Sequence, residues 1–459
     1  MLKSTTGVYL FNVFVQEGYK MKRFVLVLIV LLVSGAVLFA AGGGQQAGGK
    51  TAVRVAHFYD PAAGGGSALS LDWLNKVKAA FERQNPNAVI EWEFQQWDEI
   101  DVKIISDYRA GITAHDVTFS SPQLFPLHAE VGTFADISPF VKRDWSASQV
   151  ADLSWASTWQ QTFLNGKQVG LPLGNHARVF IWNKEHFRAA GLDPNRPPRN
   201  MDEVIEFAKK LNNPAAGVYG LGIPLGPSRA TIELSFSIFM WGFGGESIDP
   251  VTKAAVFADA NGVRVAELIW DLVNTHKVVP PDAVTNTFDL ADYFENGKTS
   301  MTFGWGSYHT DRLDRIGWAK GLLPPKADAQ LFNVGVTQNP TATQNGFTNC
   351  WAISIYEKSK NKELAWKFIQ EIFKSDMTEY ADAGLPIQQA EWRKPEYQTE
   401  YFQVFKKAIE LGKPMPQTPY YGDLADTIAA ALQRCLSAPR SDVPRIFREA
   451  QQEYNSRAR

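Results

Sequence analysis

The chain has 459 residues, which is long enough for two lobes with separate hydrophobic cores. Its 46 basic and 48 acidic side chains nearly balance, and no basic block alternates with aromatic residues, which argues against nucleic acid as a partner. Aromatic residues make up 12% of the chain and include 14 Trp, so we expect some rings in the core and others at recognition surfaces.

The N-terminal segment has the pattern of an export signal. Basic residues at 22–23 precede a long apolar run that ends in small residues at 40–41, which predicts a secretory signal peptide beginning at Met21. An uncleaved membrane anchor is the alternative, because the run is long for a signal peptide. A Gly-rich tether follows at 42–50, and the cleavage region has no Cys for lipid attachment. The sequence therefore predicts a periplasmic or otherwise extracytoplasmic protein.

The segments after the tether alternate between strand and helix patterns. Apolar residues recur at every second position in the strand-like segments and at helical spacing in the others. The order β-α-β-α-β implies a largely parallel sheet with helices on both faces, and thus an α/β fold. We predict strands within 51–60, 88–94 and 115–121 and helices within 71–86 and 100–111.

The later segments of the chain show the same two patterns. Gly and Pro interrupt a strand-like stretch at 165–187, which suggests a crossover between lobes. Asn200 with Glu203 three residues later is the spacing of a helix N-cap. We predict helices within 197–211, 230–245, 263–278, 360–373, 424–437 and 442–454, and a strand at 349–355.

The stretch "NGKTSMTFGWGSY" is a strand whose apolar run stops at Gly304, followed by Trp305 and a second glycine. Trp305 is either a core residue or a ring displayed at the strand end for a ligand. We favour the ligand, because flanking glycines leave room for close approach.

Motifs of catalysis and metal binding are missing from the sequence, which contains no nucleophile elbow, phosphate-binding loop or zinc-binding His pair. Cys350 and Cys435 cannot form a disulfide framework, although one bridge between them stays open. A secreted glycoside hydrolase would need two carboxylates across a cleft, and Asp60, Asp98 and Glu233 are the candidates. Exposure to solvent or a hydrogen bond to a ligand is the simpler explanation of these acids. We therefore predict no metal, no cofactor and no enzymatic activity.

Several fragments resemble those of a known family when taken in order. They are "YRAGITAHDVTFSS", "VGTFADISPFV", "NGKQVGLPLGNHARVFIWNKEHF", "FENGKTSMTFGWGSY", "SKNKELAWKFIQEIF" and "GLPIQQAEW". Their order and spacing resemble the extracellular solute-binding proteins of ABC importers, in the sugar-binding, maltose-binding-protein-like group. Two features depart from the family pattern: His115 stands where a proline is usual, and the lipid-anchoring Cys is absent.

The resemblance implies a periplasmic-binding-protein-like fold of type II, in which two α/β lobes enclose the ligand. Three chain crossings would join the lobes, near 171–175, 345–350 and 385–388, and Gly, Pro or Asn in each suits a hinge. The implied organisation is a leader and signal peptide at 1–41, lobe 1 at 51–173 plus 347–386, and lobe 2 at 174–346 plus 387–459.

Ligands of open α/β sheets bind beyond the carboxyl ends of strands, and the resemblance points to the same places. Sugars pack their C–H faces on aromatic rings, and their hydroxyl groups need planar polar partners. The candidate ligand-binding residues are Tyr59, Asp60, Trp97, Ser120, Ser121, Gln123, His176, Arg178, Glu233, Trp241, Trp305, Tyr308, Trp351 and Tyr421. Among them, Glu233, Trp241 and Tyr421 are implied by the resemblance alone.

The predicted function follows from the resemblance. A monomeric exported protein would capture a carbohydrate, with an oligosaccharide as the leading expectation, and deliver it to the permease subunits of an ABC transporter. The alternatives are a secreted carbohydrate-active enzyme, or the same binding role for a polyol, glycerol phosphate ester, peptide or polyamine. His176 and Arg178 near the first crossing leave an anionic ligand open.

Overall fold

A computed structural model of the chain describes residues 49–457 except 61, 63–64, 98, 286–287, 310–333 and 376–384. The predicted signal peptide, most of the predicted tether, Asp98 and the side chain of Tyr308 lie outside the described residues. None of the helices in the described part of the chain is long and apolar enough to cross a membrane.

One mixed sheet of eight strands organises the fold, in the order β2-β1-β3-β10-β6-β8-β7, with β9 paired to β6. Strand β1 pairs in parallel with both β2 and β3, which confirms the parallel arrangement predicted for the start of the chain. The strands are β1 Thr51–His57, β2 Ala88–Phe94, β3 Val117–Ser120, β4 Phe163–Leu164, β5 Lys167–Gln168, β6 Leu171–Asn183, β7 Tyr219–Gly222, β8 Thr299–Gly306, β9 Val334–Thr337 and β10 Thr348–Ile355; β4 and β5 form a separate hairpin.

Helices cover the sheet and extend it at the C-terminus. They are α1 Gly65–Gln84, α2 Ile100–Arg109, α3 Phe125–Val131, α4 Ser138–Asp144, α5 Ala147–Leu153, α6 Lys184–Ala189, α7 Met201–Leu211, α8 Arg229–Thr231, α9 Ser237–Gly242, α10 Ala260–Trp270, α11 Leu290–Glu295, α12 Lys362–Lys374, α13 Glu400–Leu411, α14 Tyr421–Leu436 and α15 Val443–Arg457. A π-helical stretch, Ile232–Phe236, joins α8 to α9, and a second, Asp271–Thr275, extends α10. Short 3-10 turns fill several connections, among them Pro122–Leu124 after β3.

Most of these elements were predicted, including the cap of α7, where the Asn200 side chain accepts a hydrogen bond from the Glu203 amide at 3.0 Å. Helix α13 was not predicted, and neither were strands β4, β5, β7 and β9 or helices α3, α4, α5, α6 and α11. Strand β8 also differs from the prediction, because it continues through Gly304 and Trp305 instead of ending before them. The two cysteines are free and buried.

Strand β6 links the two halves of the sheet. Its first part, from Leu171, pairs with β10, and its second part pairs with β8 and β9. The predicted third crossing lies against it, because the Asn175 amide donates to the Leu385 carbonyl at 3.3 Å and the Asn175 side chain donates to the Pro386 carbonyl at 3.1 Å. The chain thus passes between the halves at neighbouring places.

The buried apolar residues form two hydrophobic cores. The first surrounds β1, β2 and β3 and contains buried residues of α1, α2 and α12, and the second contains those of α7, α10, α14 and α15. Buried residues of α13, such as Phe405, belong to the first core, although the expected boundaries put them in lobe 2. The lobe boundaries stay a prediction.

Candidate functional site

Strands β6 and β10 form the floor of a candidate cleft. They are antiparallel, with Gly174 opposite Trp351 and His176 opposite Asn349. Opposed residues of an antiparallel pair have side chains on the same face, and successive residues alternate between faces. His176, Asn349 and Trp351 therefore share one face of the junction.

The side chains on the other face of the same strands contact neighbouring protein segments. The Asn175 side chain accepts a hydrogen bond from the Thr158 hydroxyl at 3.0 Å, and the Cys350 thiol lies 3.9 Å from the Thr158 carbonyl. Burial raises the pKa of the Cys350 thiol, which stays protonated. This face belongs to the junction between the lobes.

An aromatic cluster closes one end of the floor. Trp351 is half-buried, and its ring lies 4.0 Å from the ring of Phe58, tilted by 36°. Phe58 follows β1, and it also contacts Tyr59 with ring centroids 4.6 Å apart. Tyr59 is buried and packs on Phe119, so it supports the cluster from the core side.

A polar bridge joins the two sides of the cleft. The Gln123 side chain, in the turn after β3, donates to Glu233 Oε1 at 2.9 Å. The hydroxyl of Tyr421, at the start of α14, donates to the same oxygen at 3.1 Å. Glu233 lies in the π-helical stretch before α9, so three separate elements meet at one carboxylate.

The electrostatics of this bridge are set mainly by burial. Burial raises the pKa of the Glu233 carboxyl, and the positive charges of Arg178 and Arg229 only partly offset it. Burial, followed by the Glu233 charge, also raises the pKa of the Tyr421 hydroxyl, which therefore stays a donor. Burial and nearby Arg178 lower the pKa of His176 to about 3, so its imidazole is neutral at physiological pH.

Arg178 adds a cation next to the floor. Its guanidinium lies over the ring of Phe347, 5.3 Å from the centroid, and its Nη1 donates to the Ala177 carbonyl at 3.3 Å. Phe347 and Asn349 were not among the candidates. The alternation of β10 could have found them, because both lie an even number of residues from Trp351.

The other candidates have different surroundings. Trp97 is 59% exposed, and Trp241 is buried in the second core with its indole nitrogen donating to Glu246 at 3.2 Å. Asp60 is half-buried and accepts a hydrogen bond from the Ala62 amide at 2.8 Å. Ser120 is buried with its hydroxyl 3.4 Å from that of Thr118.

Trp305 is fully buried, contrary to its expected display at a strand end. Its ring packs between Phe294 at 5.5 Å and His309 at 4.7 Å. Gly304 has a φ of +74° and lies against the helix that carries Glu233, since a Cβ on it would come within 2.8 Å of the Leu234 carbonyl oxygen. The glycine thus makes room for backbone, and a ligand could stack on Trp305 only after the ring was uncovered.

Metal ligation finds no support in the part of the chain that the structure describes. No cluster of three or more His, Cys, Asp or Glu residues there could hold an ion. The cleft instead offers an aromatic face, amide groups, a carboxylate and one neutral imidazole. These groups are suited to binding by stacking and hydrogen bonds.

Comparisons with known proteins agree with this architecture. A protein of Brucella abortus (strain 2308), named as a binding protein, is 22% identical over 372 residues, which are 80% of this chain and 85% of the relative. The ABC transporter solute-binding protein of Thermotoga lettingae, solved with α-D-tagatose, has a TM-score of 0.71 at 21% identity and covers 88% of this chain and 98% of its own. The ABC substrate-binding protein of Listeria monocytogenes, solved with cycloalternan, has a TM-score of 0.71 at 19% identity, with 89% and 99% covered.

These structures confirm the predicted two-lobed, periplasmic-binding-protein-like α/β fold. The sequence profile described as "bacterial extracellular solute-binding protein" matches residues 67–379, which is well over half of the sequence. The chain therefore belongs to the bacterial extracellular solute-binding protein family.

Proposed function

We propose that this chain is the periplasmic solute-binding component of an ABC importer, that it captures a carbohydrate between its two lobes, and that it presents the sugar to the permease without catalysing a reaction. The observation that carries the proposal is the joint placement of Trp351 on its Phe58 support and of the bridge formed by Gln123, Glu233 and Tyr421. An aromatic face beside planar hydrogen-bonding groups matches the two kinds of surface that a sugar offers. The sugars in the two solved structures support the same ligand class.

Two polar groups of the cleft, His176 and Glu233, are consistent with a neutral ligand that carries hydroxyl groups. His176 is neutral, and Glu233 Oε1 accepts hydrogen bonds from both Gln123 and Tyr421. A buried carboxylate that loses a donor costs about 1–3 kcal/mol, so a ligand with hydroxyl groups in the right places would be selected.

Trp351→Ala tests the stacking role. We expect it to weaken sugar binding by about tenfold or more, since a buried aromatic contact contributes on the order of 1–3 kcal/mol. Affinity would be measured by intrinsic fluorescence and thermal shift against a panel of mono- and oligosaccharides, because a ligand of the native state raises its stability. Trp145→Ala is the matched control, since Trp145 is also half-buried and packs on another ring, Trp366, at 5.6 Å in the first core.

The control variant should lose stability and keep its affinity. If Trp351→Ala and Trp145→Ala lose affinity equally, Trp351 does not stack on the sugar. No response of the wild-type protein to any sugar would count against the carbohydrate itself.

An anionic ligand is the second candidate, because two cations, Arg178 and Arg229, interact electrostatically with the single carboxylate of Glu233 and partly offset the rise of its pKa on burial. A phosphate ester held by these two cations should bind more weakly as salt is raised, since screening shortens the reach of charge interactions. A neutral sugar should scarcely respond. Titrations of glycerol 3-phosphate and of a neutral sugar at low and high NaCl would separate the two, and we expect the salt-independent result.

A further inference from the structure

Two series of hydrogen bonds that meet at Ser121 link the interior of the first lobe to the cleft. The first series begins at His128 of α3, whose Nδ1 is 2.7 Å from the Thr133 hydroxyl and whose Nε2 is 2.9 Å from Asp101 Oδ1. The second oxygen of Asp101 accepts the backbone amide of Ser121 at 3.3 Å. The carboxylate therefore ties helices α2 and α3 to the segment that follows β3.

The second series runs through side chains of that segment. The Ser121 hydroxyl donates to Gln123 Oε1, which fixes the acceptor end of the amide. The donor end of the same amide then reaches Glu233 across the cleft. An amide with both ends engaged has its orientation defined, because its oxygen and nitrogen can no longer exchange places.

The His128–Asp101 pair lies in the interior of the first lobe. His128 is fully buried and Asp101 is 3% exposed, and each uses two hydrogen-bonding atoms inside the first lobe. Polar groups at such depth destabilise the fold unless they are paired. The pair thus keeps one arrangement, and that arrangement determines where Ser121 lies.

We propose that the His128–Asp101 pair is a positioning device that acts through Ser121 on Gln123, and so sets the strength of the contact between the two lobes at Glu233. The inference rests on the proposed function in one respect, which is that closure of the lobes serves ligand capture. The contact itself involves this chain alone, so it can be measured without a ligand.

The experiment follows the distance between the lobes in the full mature chain. Spin labels at Lys142→Cys in α4 and Lys209→Cys in α7 are on exposed helical positions of the first and second core, respectively. The native cysteines are buried, and burial raises the pKa of Cys435 to about 11, so the introduced thiols are labelled selectively. Pulsed electron paramagnetic resonance then gives the ratio of the short-distance to the long-distance population.

Removing the contact should lower that ratio. We expect Gln123→Leu to reduce it by about two- to tenfold, the range for one hydrogen bond. Ser121→Ala and His128→Phe should each reduce it in the same direction, and His128→Gln, which keeps a donor for Asp101, should restore part of it. In the Gln123→Leu background the other substitutions should have no further effect, since their path to Glu233 has already been removed.

Tyr356→Phe is the matched control, because it removes a part-buried hydrogen bond of the same lobe, from the Tyr356 hydroxyl to the Ile112 carbonyl at 2.9 Å, that does not lead to Gln123. It should leave the ratio unchanged. Equal effects of the control, or additive effects of His128→Phe and Gln123→Leu, would overturn the proposal. If His128→Phe does not fold, His128→Gln gives the test of the pair, since it removes the imidazole and keeps a donor for Asp101. Its effect should likewise disappear in the Gln123→Leu background.

The failure of this inference can be told apart from the failure of the proposed function. If the effects of His128→Phe and Gln123→Leu are not additive but the protein binds no sugar, the positioning role stands and the carbohydrate ligand is rejected. If the two effects are additive and the protein binds sugar, the positioning role is rejected and the carbohydrate ligand stands.

Discussion

At the scale of single residues, His115 departs from the family pattern and its buried ring joins a charged cluster. It stands where the resemblance predicts a proline, and its ring is buried with Nδ1 2.5 Å from Glu93 and Nε2 2.8 Å from Asp107. A ring nitrogen that faces a carboxylate needs a proton, so two such contacts favour the doubly protonated imidazolium. The two carboxylates raise the pKa of His115 in spite of its burial. Lys103, 2.6 Å from Asp107, is a further charge in the cluster.

This arrangement predicts a pH-dependent stability. Because the folded pKa of His115 is raised above its unfolded value of about 6.5, its contribution is complete below that pH and is lost as pH rises through the folded pKa. The difference in unfolding free energy between wild type and His115→Asn should therefore be larger at pH 6 than at pH 9, measured by urea denaturation. At pH 6 we expect about 1–3 kcal/mol, the range for leaving buried acceptors without a donor.

His186→Asn is the contrasting variant for that experiment. Burial lowers the pKa of His186, so its contribution is complete at high pH and is lost as pH falls. The two variants should thus change the pH profile in opposite directions. A His115→Asn profile parallel to that of the wild type would rule out the charged pair.

At the scale of elements, the contact between β8 and the helical segment 229–242 decides where the polar bridge lies. Gly304 has a left-handed backbone, and its missing side chain allows Leu234 to approach closely. Glu233 is the neighbour of Leu234, so the same contact fixes the depth of the carboxylate in the cleft. The tight packing of β8 therefore belongs to the construction of the site, even though Trp305 itself is buried.

Gly304→Ala should be strongly destabilising. The left-handed conformation costs about 1–2 kcal/mol for a residue with a Cβ, and the overlap with Leu234 adds about 1–3 kcal/mol. Gly191→Ala is the control, because Gly191 has a φ of +70° but nothing within 4 Å of the added Cβ. Thermal and urea unfolding should show a clearly larger loss for Gly304→Ala, and equal losses would show that only backbone strain acts there.

At the scale of the whole molecule, local pattern predicted most elements but not the way in which they meet. The parallel start of the sheet and the C-terminal helices followed from periodicity, whereas α13 has an equally periodic apolar face and was not predicted. Trp305 shows a different limit. Flanking glycines indicate close approach, but only the tertiary structure shows that the backbone at Leu234 is a group that approaches Gly304. The Gln123–Glu233 contact joins residues 110 positions apart, which no local spacing indicates.

The alternation along β6 separates two kinds of evolutionary change. His176 and Arg178 lie beside the cleft, whereas Asn175 between Gly174 and His176 is bound to Thr158 and Pro386 behind it. Substitutions at positions 176 and 178 can therefore change the ligand while Asn175, which holds the strand to Thr158 and Pro386, stays the same. Inserting one residue before Gly174 would exchange the two faces in a single step, so we expect natural variants of this strand to differ by substitution and not by length.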